Sequence, residues 1–468
     1  MKSYVISMLA MAAAFVSAAQ DTAKVPAVKQ EAKNDGGLKL DGGLDFRLRD
    51  EMKHELPGSG VTAKKFENLW RLRSRVWGSV GYDDYTLFGR VADEFRVYTA
   101  RSGKNRVPFA SSKSGSGTYT FPEELYLDGL YLDARNLLYD RLDVRIGRQD
   151  MKLGEGRIIS DGSAGDGARS AYFDALRATV HATEKSTLDA FFIYMESHDE
   201  WGALGPYDRP LASIGATRED NEEKGLGLYY TSKDFKEFPF ELYWIWKDET
   251  HSHDSGGRKY GRDFHTVGAR LLPKFSPTLS AEVELAGQFG DTDDGRDTRA
   301  AMFYAGLPWV ALPDHSTKFT VTPAVLYLSG DDKTSQSQTA ASGTDNNWNA
   351  VFNRTVWFST LMGDQYTNYR WANLIYPHFQ FSAILTPKQK INLQLGPVFA
   401  EESDQAATDS TYKGFFGYAR YEGSLVKGFL TKRGDINHAI QLEVFEPGDY
   451  FTTDKTAVFI RWELNAKF

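Results

Sequence analysis

Hydrophobic and polar residues alternate along most of the chain after residue 38. In "LKLDGGLDFRLR" (38–49), "LDVRIGR" (142–148) and "VFIRWEL" (458–464), apolar side chains are separated by Lys, Asp, Arg or Glu. A period of two puts apolar and polar side chains on opposite faces of a β-strand. The pattern therefore predicts a chain built mainly from β-strands, each with one apolar face.

We count about 18 such segments. They lie near 38–50, 66–80, 85–100, 121–135, 141–150, 169–183, 187–197, 225–233, 239–249, 262–273, 278–290, 301–310, 317–329, 371–384, 390–401, 412–425, 437–446 and 455–468. Most are close to the roughly nine to eleven residues that a tilted strand needs to cross a bilayer.

The connections between these segments alternate in length. "GYDD", "NLLYD", "EKS", "KFSP" and "LTPKQ" are short, whereas 101–120, 198–224 and 330–370 are long and rich in Asp, Ser, Gly and Asn. Short periplasmic turns and long extracellular loops are typical of outer-membrane barrels. The sequence thus predicts an all-β fold, a transmembrane antiparallel β-barrel of about 18 strands.

Composition agrees with this fold class. Aromatic residues make up 14 % of the chain, with 24 Tyr and 30 Phe, although the mean hydropathy is −0.45. Such a chain lacks the runs of about 20 apolar residues that a helical membrane protein requires. A net charge of −8 argues against a nucleic-acid partner. Because the chain has no Cys, disulfides and thiolate metal sites are excluded.

The N-terminus has the features of a secretory signal. "MKSYVISMLAMAAAFVSAAQ" contains a basic residue, an apolar run and small residues, in that order. We predict a signal peptide over 1–19, with cleavage after Ala19. A buried helix or short anchor is the alternative, although the run is too short to span a bilayer. Polar residues 20–37 are predicted to form a disordered periplasmic arm, and 38–468 the barrel.

In "LWRLRSRVWGSVGY" (69–82), three arginines, Arg71, Arg73 and Arg75, are spaced two residues apart. Facing these side chains into lipid would cost roughly 2–4 kcal/mol each, so we expect them to face the lumen. Guanidinium groups bind carboxylates with two parallel hydrogen bonds. Alternatively, the arginines pair with Asp and Glu and simply fill the lumen wall. The residues predicted to line a substrate conduit are Arg47, Arg49, Arg71, Arg73, Arg75, Arg90, Arg96, Arg145, Arg177 and Arg461.

Several stretches resemble the bacterial alginate-export family of outer-membrane barrels. They are "FPEELYLDGLYLD" (121–133), "LDVRIGRQDMKLGEGRIISDG" (142–162), "RSAYFDALRATV" (169–180), "NLIYPHFQFSAILTPKQKINLQLG" (373–396) and "LEVFEPGDYFTTDKTAVFIRWELNAKF" (442–468). The similarity covers roughly residues 65–468. The resemblance implies an 18-stranded channel whose Arg-rich lumen passes an anionic poly- or oligosaccharide, in alginate-like export or related transport.

Two departures from the family keep an alternative open. The family's exporter has a periplasmic turn that plugs the pore, whereas the turn at 426–436 is modest. Acids also share the inward-facing parity, including Asp143, Glu282 and Glu463. The alternative function is a general diffusion porin for small anionic or neutral solutes. We find no G-x-S-x-G motif or other catalytic set, so we expect no enzyme.

The long outer loop 330–370 is a candidate gating loop, with Trp348, Phe352 and Trp357 as its large aromatic residues. We expect no metal site and no cofactor. "DTDDGRD" (291–297) and "SGDDKTS" (329–335) could offer carboxylates to a loop-bound Ca²⁺, but they lack the ligand spacing of an EF-hand. Solvated loops are the preferred interpretation.

The predicted location is the outer membrane of a Gram-negative cell. The outward face is expected to contact membrane lipid and lipopolysaccharide. The terminal Phe468, preceded by alternating apolar residues, resembles the signal that the barrel-assembly machinery reads. For outward transport, the resemblance also implies periplasmic export components as partners.

Overall fold

The computed structural model describes residues 37–56, 64–101, 125–160, 172–196, 198–199, 209–210, 222–253, 259–315, 317–331, 343–353, 358–362, 371–403, 408–428 and 434–468. The predicted signal peptide and nearly all of the predicted arm lie outside these residues.

The described chain forms eighteen long strands. They are β1 (Lys39–Leu56), β2 (Lys64–Tyr82), β3 (Tyr85–Arg101), β4 (Leu125–Asn136), β5 (Leu142–Gln149), β6 (Phe173–His181), β7 (Ser186–Met195), β8 (Glu223–Ser232), β9 (Phe240–His253), β10 (Lys259–Leu271), β11 (Glu282–Thr292), β12 (Asp297–Gly306), β13 (Lys318–Leu328), β14 (Leu374–Thr386), β15 (Gln389–Phe399), β16 (Tyr412–Lys427), β17 (Asp435–Pro447) and β18 (Ala457–Lys467).

In the part of the chain that the structure describes, the short elements lie in the connections. They are the two-residue strands Lys152–Leu153, Ile159–Ser160, His198–Asp199, Arg209–Pro210, Trp309–Val310, Thr344–Asp345 and Phe352–Asn353, and a four-residue helical turn, Leu137–Asp140. Across the part of the chain that the structure describes, no helix has the length and apolar character needed to cross a membrane.

The sheet closes on itself. Each long strand pairs antiparallel with its neighbours in the chain, and β18 pairs with β1. At this seam Leu48 lies opposite Leu464, and the backbone N–H of Phe468 donates to the carbonyl of Leu44 at 2.9 Å. The predicted fold, a closed antiparallel barrel of 18 strands, is confirmed. Every predicted segment overlaps one observed strand.

Side chains alternate between a buried inward face and an exposed outward face. In β1, Arg47 and Arg49 are each 1 % exposed, whereas Leu44 is 50 % exposed. A lipid-contacting barrel requires an apolar outward face of this kind. The exposed apolar side chains include Leu40, Val76, Val80, Leu87, Leu132, Ile146, Leu242, Val267, Leu285, Phe289, Leu393, Leu395, Ile440 and Leu442.

The two rims of the barrel differ in loop length. The terminal end, where β1 begins and β18 ends, carries the connections 83–84, 137–141, 182–185, 233–239, 272–281, 307–317, 387–388 and 428–434. The loop end carries 57–63, 102–124, 150–172, 196–222, 254–258, 293–296, 329–373, 400–411 and 448–456. The predicted placement of the long loops at one rim is therefore observed, although this rim also carries the short connections 57–63, 254–258 and 293–296.

Two segments from the loop end fold into the lumen. We call residues 151–160 the inner hairpin, since Lys152–Leu153 pairs with Ile159–Ser160. We call the described residues 343–353 and 358–362 the lumen strap. Their apolar side chains, among them Ile159, Phe352 and Leu361, are buried against the inward face of the wall. The hydrophobic core of the molecule thus lies inside the barrel.

Candidate functional site

Three arginines, the arginine row of Arg71, Arg73 and Arg75, lie on the inward face of β2. Arg73 and Arg75 are 5 % and 6 % exposed, whereas Val76 on the opposite face is 58 % exposed. Shifting the register by one residue would exchange the two faces and place three charges against lipid. The register of β2 therefore fixes the row inside the barrel.

Each arginine of the row has a carboxylate beside it. Arg71 Nε lies 3.0 Å from Glu51 Oε2, and Arg75 Nε lies 2.9 Å from Asp128 Oδ2. Arg73 Nη2 is 4.0 Å from Asp45 Oδ1. These acids come from β1 and β4, on the two sides of the β2–β3 pair. The positive charge of the row is thus offset locally.

The seam strands extend this arrangement. Arg47 lies opposite Arg73 on one side and Asn465 on the other, and the guanidinium of Arg49 pairs with the carboxylate of Glu463. Arg461, on β18, contacts Glu51 at 2.9 Å. The inward face across β18, β1 and β2 therefore carries a network of guanidinium–carboxylate pairs.

Asp128 enters this network through a β-bulge. The β3–β4 register shifts between Arg90 and Val91, leaving Asp128 as the extra residue between Leu127 and Gly129. Its buried carboxylate binds Arg75 and Arg90, and Arg90 also contacts Asp150 at 2.9 Å. The bulge brings an acid from β4 to the inward face beside these two arginines.

The remaining predicted arginines lie farther round the wall. Arg145 contacts Asp133 at 2.5 and 2.7 Å, and its guanidinium lies 4.1 Å from the ring centroid of Tyr131. Arg177 contacts Asp189 at 2.8 Å. The backbone of Arg96 pairs with Arg71, but its side chain lies outside the described residues.

An aromatic stack lies on the inward face toward the terminal end. Trp77 and Phe88 are stacked at 6.0 Å, and Phe88 and Tyr131 at 4.7 Å. The guanidinium of Arg145 lies over the Tyr131 ring. Sequence reasoning did not identify this stack, although its residues have the same inward parity as Arg75, Arg90 and Asp133.

The opposite wall is rich in glutamate. Lys247 Nζ lies 2.9 Å from Glu223 and 2.7 Å from Glu249. Nearby, Arg270 contacts Glu241 at 3.0 Å and Glu282 at 2.9 Å. Among the described inward side chains, glutamates are concentrated on β8–β11, which we call the glutamate-rich side, and the arginines described at the seam, in the arginine row and beside Asp128 lie on β18–β3.

The inner hairpin is bound to the glutamate-rich side by charge. Arg157 contacts Glu282 at 2.7 Å and Glu284 at 2.6 Å, and its guanidinium lies 3.7 Å from the ring centroid of Tyr304. Glu155 contacts Arg270 at 3.1 Å. Opposite charges at the hairpin tip thus fasten it to the wall.

One end of the lumen strap is bound to the same side. Asp345 contacts Arg262 of β10 at 2.6 Å. Asn349 donates its backbone N–H to Gln288 at 2.9 Å, and Lys247 donates to the carbonyl of Val351 at 2.8 Å.

The aromatic residues predicted for a gating loop are placed by the same segment. Trp348 and Phe352 are buried, and Phe352 packs edge-on against Phe173 at 6.1 Å. The backbone N–H of Phe352 donates to the carbonyl of Ile158 at 2.9 Å, joining the strap to the inner hairpin. Trp357 lies outside the described residues.

The other end of the strap contacts the far wall. Ser359, Thr360 and Leu361 all donate to the carboxylate of Glu443 on β17. Phe358 stacks on Tyr376 at 5.4 Å. The strap is therefore held to two separate parts of the barrel wall by hydrogen bonds and an ion pair.

The acidic loops show no metal centre where they are described. Among the described residues, no group of three or more His, Asp or Glu side chains is arranged to hold a metal ion. In 291–297, Asp294 accepts from Arg296 at 3.1 Å and Thr292 at 2.5 Å. Residues 332–335 of the second acidic loop lie outside the described residues, so the preference for a solvated loop over bound Ca²⁺ stays a prediction there.

Comparison with known proteins gives a family match. The sequence profile of the family described as alginate export matches residues 38–396. No curated protein matches the chain.

Solved structures show the same fold at low identity. OccAB1 of Acinetobacter baumannii is 11 % identical, with a TM-score of 0.60 over 94 % of this chain and 100 % of its own. OpdK of Pseudomonas aeruginosa, solved with vanillate, is 11 % identical, with a TM-score of 0.56 over 92 % and 98 %. The BenF-like porin from Pseudomonas fluorescens Pf-5 is 12 % identical, with a TM-score of 0.54 over 92 % and 98 %. The chain thus has the barrel fold of these proteins.

Proposed function

Because the chain belongs to the alginate-export family, whose profile covers residues 38–396, we propose that it is an outer-membrane channel for an anionic poly- or oligosaccharide. The family and the porin-type barrel support the channel itself. The lumen wall described above supports the anionic substrate.

The observation that carries the proposal is the set of inward arginines on four adjacent strands, which we call the arginine wall. Its members are Arg461, Arg47, Arg49, Arg71, Arg73, Arg75 and Arg90. A uronate carboxylate presents the same acceptor group as the Asp and Glu side chains that these arginines already bind. It can therefore exchange with them, one arginine after another. A series of weak sites of this kind lets a charged solute move without being trapped.

A general diffusion porin for small anionic or neutral solutes is the second candidate. Two observations favour it: the arginine row is offset by Asp45, Glu51 and Asp128, and protein segments occupy part of the lumen. The related barrel of OpdK was solved with vanillate, a small carboxylate. A lumen that contains a fastened strap suits solutes of that size.

We assign the gating role to the loop that carries Trp348, Phe352 and Trp357. Trp348 and Phe352 belong to the strap and lie inside the barrel. Movement of the strap would change the open cross-section of the lumen.

The proposed location is the Gram-negative outer membrane, with the terminal end in the periplasm and the outward face in contact with lipid and lipopolysaccharide. Phe468 is the proposed signal for the barrel-assembly machinery. For export, periplasmic components would deliver the polymer at the terminal end.

The test is the reversal potential of the purified protein in a planar bilayer under a salt gradient, followed by addition of polyuronate. Anion selectivity with polyuronate block supports a saccharide conduit. Cation selectivity or no selectivity, without block, would favour the general porin. Charge reversal of Arg71, Arg73 and Arg75 should abolish the block. Arg299→Glu is the control, since Arg299 is exposed at the loop end beside Asp297.

A further inference from the structure

The carboxylate of Glu443 binds the far end of the lumen strap. Oε2 accepts from Ser359 Oγ at 2.7 Å and from the Leu361 N–H at 2.8 Å. Oε1 accepts from the Thr360 N–H at 3.0 Å and from Gln441 Nε2 at 2.5 Å. Three of these four donors belong to the strap, so this one side chain holds three consecutive strap residues.

A second contact joins the same strap residue to the arginine wall. Arg461 Nη2 lies 3.3 Å from Thr360 Oγ1, and the same guanidinium binds Glu51 at 2.9 Å. Glu51 in turn binds Arg71. The far end of the strap is therefore fixed next to the proposed conduit.

The two attachments of the strap lie almost opposite each other. Asp345 is bound to β10 through Arg262, and Thr360 to β18 through Arg461. These strands are eight positions apart in a ring of eighteen. The described residues of the strap therefore contact the wall at two nearly opposite points, and they reduce the width open to any solute.

We propose that Glu443 is the positioning residue that fastens the strap across the lumen and thereby sets the largest saccharide the channel passes. With the strap fastened, short oligosaccharides pass along the arginine wall. With its far end released from Glu443, the lumen is wide enough for longer chains. The inference rests on the proposed channel function, because it assigns the size limit of that channel.

Glu443→Gln is the decisive substitution. The amide keeps one acceptor oxygen but presents an NH₂ group where the carboxylate had its second acceptor, so strap donors lose their partner. Since hydrogen bonds to a charged group are the stronger kind, we expect the released state to become about tenfold more populated. Ser359→Ala removes one donor from the strap side and leaves the barrel wall intact, so it should give a smaller shift in the same direction.

Two readouts distinguish release of the strap from transport. The chain has no Cys, so Leu361→Cys introduces a single thiol at a buried strap position whose side chain takes no part in the hydrogen bonds to Glu443. Its rate of labelling by a soluble maleimide reports release of the strap. Permeation of uronate oligomers of graded length through proteoliposomes reports the size limit.

The matched control is Glu422→Gln on the neighbouring strand β16. Glu422 binds Arg420 at 2.7 Å and its side chain is 45 % exposed. Heat-modifiable gel mobility checks that every variant forms a barrel.

Faster labelling and a higher length limit in Glu443→Gln, with Glu422→Gln like the wild type, support the proposal. Unchanged labelling and an unchanged limit would overturn it. A third outcome is faster labelling in Glu443→Gln while neither the wild type nor any variant passes an oligomer. This result would mean that Glu443 does fasten the strap. In that case the proposed saccharide channel fails, and with it the size-limit role.

Discussion

Asp128 Oδ2 lies 2.9 Å from Arg75 Nε, and the same oxygen binds Arg90. One buried carboxylate thus offsets two guanidinium groups on adjacent strands.

We expect Asp128→Asn to make the channel more anion-selective, because the substitution removes a negative charge from beside two inward arginines. The loss of charge-assisted hydrogen bonds should lower the free energy of unfolding by about 1–3 kcal/mol. Reversal potentials and urea unfolding in detergent measure the two effects. The control is Asp297→Asn, whose carboxylate is 55 % exposed beside Arg299. Equal reversal potentials in the two variants would contradict the prediction.

Arg157→Gln should shift selectivity the other way. The substitution removes the cation that lies 2.7 Å from Glu282 and 2.6 Å from Glu284, leaving negative charge on that side of the lumen. We expect higher cation selectivity and, since the inner hairpin loses this ion pair, larger current fluctuations. Single-channel recording measures both. Arg157→Lys, which keeps the charge, should retain the selectivity. A loss of the wild-type selectivity in Arg157→Lys would show that the selectivity depends on packing of the guanidinium on Tyr304 rather than on the charge.

Gly43→Ala should destabilise the seam. A Cβ at this position would lie 2.5 Å from the carbonyl oxygen of Phe468 and 2.9 Å from the Trp77 ring. Such overpacking typically costs about 1–3 kcal/mol. Gly89→Ala is the matched control, since a Cβ there would meet nothing within 4 Å. The temperature at which the barrel loses its compact gel mobility should fall for Gly43→Ala. It should stay at the wild-type value for Gly89→Ala.

A turn at the terminal end should loosen in acid. Ser186 and Thr183 donate hydrogen bonds to the carboxylate of Asp234, and these bonds hold its pKa below the ordinary value of 3.8. A carboxyl group whose pKa is lowered by folding stabilises the folded turn at pH values above its unfolded-state pKa. This stabilisation is lost as the pH falls through the lower pKa of the folded state. Amide-exchange protection around 233–239 should therefore decrease below about pH 4. Asp234→Asn should abolish that pH dependence, and the turn held by Ser276 should show none.

The strands could be predicted because each has a lipid face and a lumen face. In β18, apolar side chains such as Leu464 alternate with Arg461 and Glu463, and this period of two is readable without any tertiary information. The inward parity of Arg71, Arg73 and Arg75 follows from the same rule.

The ion pairs and the contents of the lumen could not be predicted in this way. Asp128 reaches its partners through a bulge, and Arg148, which binds Asp174 at 2.9 Å, is buried although it has the outward parity of Ile146. Both depend on local breaks in the alternation. The strap and inner hairpin have no period at all, so their positions follow from contacts with distant strands, such as Glu443 with Ser359.

Joining β18 to β1 also determines when the molecule can become stable. Arg49 and Glu463 are 414 residues apart, so their contact forms only after nearly the whole chain has been synthesised. Until then, β1 has a free edge of unpaired N–H and C=O groups, the kind of edge that recruits other chains into aggregates. Pairing across so long a separation is also slow. The eleven residues of β18 therefore decide whether the seventeen earlier strands survive as a barrel or are lost to aggregation and proteolysis.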